Sequence, residues 1–154
     1  MAVLSKAGCN AGLCHGKAGG KGGLSLTLRG ETPQLDFRTL TADATDGRVR
    51  PDAPKKSLLL TKPTETAQSG HEGGKRFEVD SPEYRVLRDW IAAGAKASPA
   101  DEPALVSIEV TPREKVVFGV DSAVQLNVIA NFSDGSNRDV TRWAVYEPFN
   151  LLSE

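Results

Sequence analysis

The chain has 154 residues, 39% of them hydrophobic and 25% charged, with a formal net charge of −1. This is enough for one medium domain or two small ones, and nothing in the totals suggests disorder. The apolar runs fall far short of the roughly 20 residues a membrane helix needs, and the opening residues lack the basic start, apolar stretch and small-residue cleavage site of an export signal.

The charge is unevenly divided. Residues 1–99 hold 15 Lys and Arg against 11 Asp and Glu, whereas residues 100–154 hold 4 against 9. Two modules are therefore expected. The basic residues of the first half form no run and are not interleaved with aromatics, which argues against a nucleic-acid partner.

In chain order, AVLSKAGC reads as the end of a helix leading into a cluster of Cys9, Cys14 and His15. LSLTL (24–28) alternates and suggests a short extended segment. A helix is predicted from Thr32 and Pro33 through QLDFRTLTAD, presenting Leu35, Phe37 and Leu40, and a shorter one at PKKSLLLT. The clearest helix is SPEYRVLRDWIAAGA, where Ser81 suits an N-cap, Pro82 the first helical position and Gly94 the stop. Tyr84, Leu87, Trp90 and Ile91 share one of its faces at helical spacing. These elements predict a mainly α-helical first module over residues 1–96.

AAGAKASPADEPAL then marks a linker at about residues 97–103. Downstream the apolar period becomes two, in LVSIEVTP (105–112) and AVQLNVIANF (123–132). Val124, Leu126, Val128 and Ala130 are expected on one face, and Asp134-Gly135 supplies a turn before a further strand. The second module, residues 104–154, reads as antiparallel β.

Three chemistries compete for KAGCNAGLCHGKAGG (6–20). A disulfide between Cys9 and Cys14 is sterically possible but leaves His15 and the glycines unexplained. Zinc would find four ligands of the right kinds in Cys9, Cys14, His15 and His71, the only other histidine, although adjacent Cys14 and His15 diverge on a regular backbone. Covalent haem needs two thiols and a histidine directly after the second, commonly as Cys-x-x-Cys-His. Here the spacer is two residues longer, and Asn10, Ala11 and Gly12 are small or turn-tolerant enough to bulge out between the anchors. A phosphate loop is excluded for GKAGGKGG, because Lys21 is followed by Gly22 and not by Ser or Thr.

The first half resembles the planctomycete-type cytochrome c domain through VLSKAGCNAGLCHG, LSLTLRG, DFRTLT, SLLLTKPT, GHEGGKRF and SPEYRVLRDWIAAGA, in order over nearly all of residues 3–95. The resemblance implies a helical haem c domain with Cys9 and Cys14 as thioether anchors and His15 as proximal iron ligand. It also implies an exported, periplasmic setting within a longer multidomain polypeptide. VSIEVTPREKVVFGVDSAVQLNVIANFSDGSNRDVTRWAV is similar to the first part of a bacterial Ig-like domain of group 2, in which about seven strands would be needed for a full sandwich.

Read by itself, a lone histidine in the polar, glycine-flanked QSGHEGGKRF is an exposed surface residue; with the resemblance, and with Met1 at the chain start as the only methionine, His71 is the candidate for the second axial position. Lys62 and Lys75 are the alternatives, as is an open position. Arg76 or Lys75 is a candidate partner for haem propionates. Phe37, Tyr84, Leu87, Trp90 and Ile91 are expected in the haem pocket or the helical core. The resulting expectation is single-electron transfer to a redox partner protein or to further domains of the same polypeptide, without catalysis in this chain. The rivals are a zinc-stabilised adhesive module, whose Ig-like part contacts protein or carbohydrate, and a haem redox sensor.

Overall fold

A computed structural model of the chain describes residues 1–42, 47–119 and 121–147. The chain divides into two compact units, Met1–Ser98 and Pro99–Glu154. Asp43, the last residue of the second predicted helix, and residues 148–154 of the predicted β module lie outside the described residues.

Among the described residues, unit 1 contains four short helices: α1 (Ala2–Lys6), α2 (Pro33–Thr41), α3 (Leu58–Thr61) and α4 (Pro82–Ala92). Single 3-10 turns stand at Leu28–Gly30 and Pro54–Lys56. The expectation of a mainly α-helical module is therefore corrected, since only about 25% of the described residues are helical. The reason lies in the connections. Gly8, Gly19, Gly20, Gly22 and Gly23 all have left-handed φ, and glycine and proline disfavour helix interiors by about 1 and 3 kcal/mol per residue. The segment predicted as one helix over PKKSLLLT breaks at Ser57, whose extended backbone (φ −63°, ψ 134°) separates the 3-10 turn from α3. LSLTL forms no strand. Only an isolated bridge joins Lys21 and Leu24 there.

The best-formed helix is α4, with Ser81 accepting the main-chain N–H of Tyr84 at its N-cap. Its buried face, Tyr84, Leu87 and Ile91, packs against α1, α3 and the Pro54–Lys56 turn. Leu60 and Ile91 are fully buried, and each such aliphatic side chain contributes about 1.5–3 kcal/mol. Trp90 is only half-buried. Its indole N–H donates to the Lys96 carbonyl at 2.9 Å, and its ring meets Phe37 edge-on at 6.5 Å.

The inward face of α2 also differs from the one predicted. Leu40 is buried, but Leu35 is exposed and Phe37 half-buried, while Asp36 is fully buried. The Asp36 carboxylate accepts the main-chain N–H of Thr27 at 2.6 Å and its hydroxyl at 2.8 Å. This pairing makes burial of the charge affordable, and it turns α2 so that positions 36 and 40 face the core.

Unit 2 holds a three-stranded antiparallel sheet in the order β1 (Leu105–Thr111), β2 (Asn127–Phe132), β3 (Asn137–Asp139). Ile108 lies opposite Ala130 and Val110 opposite Val128. The β2–β3 turn is held by Asp134, whose Oδ1 accepts from the N–H and the hydroxyl of Ser136; these bonds lower its pKa. The predicted strand over 123–132 begins only at Asn127. Val124 is exposed, Leu126 half-buried, and Val128 and Ala130 are the buried pair of β2. Among the described residues no helix is long and apolar enough to cross a membrane.

Candidate functional site

A cavity of about 600 Å³ in unit 1 is lined by Cys9, Cys14, His15 and His71. The four residues singled out in the sequence thus share one space. Its walls include Leu4, Leu26, Leu58, Leu59 and Pro63, with Lys21, Arg48, Lys62, Glu72 and Arg76 among the charged residues. Phe37, Tyr84, Leu87, Trp90 and Ile91 do not line it; Tyr84, Leu87 and Ile91 belong to the buried core.

Main-chain hydrogen bonds compact the segment carrying both cysteines. Cys9 N–H donates to the Leu4 carbonyl at the end of α1, Cys14 N–H to Ala11, and His15 N–H back to Cys9 at 3.0 Å. The four-residue spacer is accommodated by a split. Asn10 turns inward, 2% exposed, with its amide donating to the Ser5 hydroxyl at 2.8 Å. Ala11 and Gly12 are exposed, and Leu13 projects with 90% exposure at the cavity edge. Asn10 therefore does not bulge out with its neighbours, because its side chain braces the turn against α1. Gly16 closes the turn where a Cβ would stand 2.0 Å from the Asn10 carbonyl oxygen, so no larger residue fits.

The two sulfurs are free thiols. Burial pushes the Cys9 thiol up to about 11, opposed by the nearby Arg76 guanidinium. At neutral pH Cys9 is protonated.

Both imidazoles are oriented from behind. His15 Nδ1 is 3.0 Å from the Lys21 carbonyl and 3.2 Å from that of Leu24. His71 Nδ1 is 2.8 Å from the Gly74 carbonyl. A carbonyl only accepts, so each Nδ1 carries a proton, and in the neutral tautomer this arrangement leaves Nε2 as the ring's lone-pair nitrogen. The rings are nearly parallel, 15° apart, with centres 6.3 Å from each other. Gly73 lets the His71 ring lie close, since a Cβ there would stand 2.9 Å from Cε1.

Charged groups hold the surrounding loops. Lys62 Nζ donates to the Ser69 hydroxyl and the Gly70 carbonyl, both at 2.7 Å, so its ammonium is engaged just ahead of His71. Lys75 pairs with Glu78 at 3.0 Å and does not line the cavity. Arg76 donates from Nε to the Ala7 carbonyl at 2.7 Å, tying the His71 loop to the Cys9 segment. Met1 is also absent from the lining. Among the described residues no three His, Cys, Asp or Glu side chains gather as a metal-binding group.

Sequence reasoning missed Lys21, Glu72 and Arg48. Lys21 pairs with Glu72 at 2.7 Å, raising the lysine pKa and lowering that of the glutamate. Arg48 donates to the carbonyls of Thr39 and Gly23. The glycines around Lys21 were the available signal, since they mark a backbone that must fold tightly beside His15. No protein-family model, curated protein or solved structure matches the chain.

Proposed function

We propose that unit 1 is a covalent haem c module for single-electron transfer, held by Cys9, Cys14, His15 and His71. The observation that carries this reading is the pair of imidazoles. Two rings on opposite sides of one metal ion have centres separated by twice the sum of about 2.0 Å for metal to nitrogen and about 1.15 Å for nitrogen to ring centre, or about 6.3 Å. In the structure the ring centres lie 6.3 Å apart, and the rings are nearly parallel. Aromatic pairs also occur at such distances. Protonated Nδ1 atoms on carbonyl acceptors, however, are the support that metal-bound histidines use.

The thiols fit the same group. Cys9 and Cys14 line the cavity as free thiols, each able to add its S–H across one vinyl group. Sulfur bonds one carbon, the proton goes to the other, and no leaving group is needed. Bound there, haem c supplies one-electron iron chemistry, with a lower potential for two histidines than for histidine and methionine. The cavity lies in the 300–1,000 Å³ range of cofactor sites. Arg76, beside Cys9, is the candidate for a propionate.

Covalent haem attachment implies an exported, periplasmic location, and the electron goes to a redox partner or to further domains of a longer polypeptide. The test is expression in a host that matures c-type cytochromes. A Soret band that stays with the denatured polypeptide is expected, and a colourless, zinc-bearing protein would sink the proposal. His71→Ala should lose the six-coordinate spectrum and shift the potential on the order of 100 mV. An unchanged spectrum would remove His71 from the iron.

A further inference from the structure

Lys21 touches both sides of the cavity. Its carbonyl lies 3.0 Å from His15 Nδ1, while its Nζ lies 2.7 Å from Oε2 of Glu72, the neighbour of His71. The backbone at Lys21 is held in a tight turn, because Lys21 and Leu24 exchange main-chain hydrogen bonds of 2.9 and 3.1 Å. The Leu24 carbonyl is also the second partner of His15 Nδ1. Across the cavity, His71 and Gly74 form their own turn, with Gly74 N–H donating to the His71 carbonyl at 2.8 Å. Lys62 secures the opposite flank of that loop through Ser69 and Gly70.

We infer that the Lys21–Glu72 pair is a positioning bridge that keeps His71 opposite His15 and sets how readily an external ligand displaces His71 from the iron. This rests on the haem reading above. The lysine and glutamate side chains are 43% and 79% exposed, so dissolved ions compete with the pair and weaken it. Breaking it leaves Lys62 and the Gly74 turn in place, so the His71 loop loosens without detaching. Salt, or a partner charge presented to Glu72, then eases ligand exchange.

The test uses the full chain matured with haem and follows displacement of His71 by cyanide through the Soret change, at low and high ionic strength. Lys21→Gln and Glu72→Gln should each raise the rate roughly two- to fivefold at low salt and flatten its salt dependence. The charge exchange K21E with E72K should restore the slow, salt-sensitive rate. Single variants that react at the wild-type rate, or a charge exchange that stays fast, would overturn the bridge. A double-mutant cycle in denaturant on the haem-free chain gives a second measure: salt-sensitive coupling is expected, and additive single effects at low salt would also overturn it. A missing Soret band defeats the haem reading; a normal Soret band with unchanged exchange defeats the bridge alone.

Discussion

The two units use their backbone in opposite ways. In unit 2 regular strand pairing does most of the organising, and the sheet buries little: Val128 and Ala130 are inside, while Leu105, Val106 and Ile108 of β1 are exposed. In unit 1 regular elements are few, and side chains brace irregular loops around a cavity, as Asn10, Asp36, Lys62 and Arg76 do. A sheet satisfies its main chain wherever strands pair, so its side chains stay free to vary. A loop-built site must find a partner for each carbonyl and N–H individually. In unit 1 several of those partners are the groups that orient the histidines.

The sharpest way to break this contrast is a core truncation. Ile91→Ala, at a fully buried position of α4, should cost about 2–5 kcal/mol and melt unit 1 first, read by histidine and Trp90 signals in a thermal scan. Simultaneous, equal loss of the β signals would erase the distinction between the units.

A smaller effect is expected from alkali. The folded state holds Cys9 at about 11 against an ordinary value of 9.0. Below pH 9 both states keep the proton, and the haem-free chain has its full stability. Between about pH 9 and 11 only the unfolded state ionises Cys9, so stability falls as pH rises, on the order of 2 kcal/mol in total. Denaturation midpoints of wild type and Cys9→Ala across this window should converge toward high pH; parallel curves would refute the burial of the thiol.

The smallest effect belongs to the exposed strand. Ile108→Thr should stay within about 0.5 kcal/mol, because the position is exposed and threonine suits a strand. A large loss in urea unfolding would show that β1 is covered in solution.

Local chemistry wrote the start and stop of α4 into Ser81, Pro82 and Gly94, and the Asp134-Gly135 turn into its own residues. The cluster of Cys9, Cys14 and His15 was equally visible, because adjacent residues on a short loop have few ways to separate. The low helix content was less legible, since apolar spacing does not reveal how far glycine-rich connections outweigh the helices. The inward turn of Asp36 was hidden for a related reason: an aspartate is read as solvent-facing until Thr27 supplies both of its donors.

By itself the sequence determined which groups were available, two thiols and two imidazoles, and where two of the helix and turn signals lie. Only the tertiary structure decided that His15 and His71, 56 positions apart in the chain, stand nearly parallel at 6.3 Å with Nδ1 of each ring on a main-chain carbonyl. That outcome depends on carbonyls of Lys21, Leu24 and Gly74. Main-chain carbonyls are common to every residue, so no pattern of side chains announces which of them will meet an imidazole.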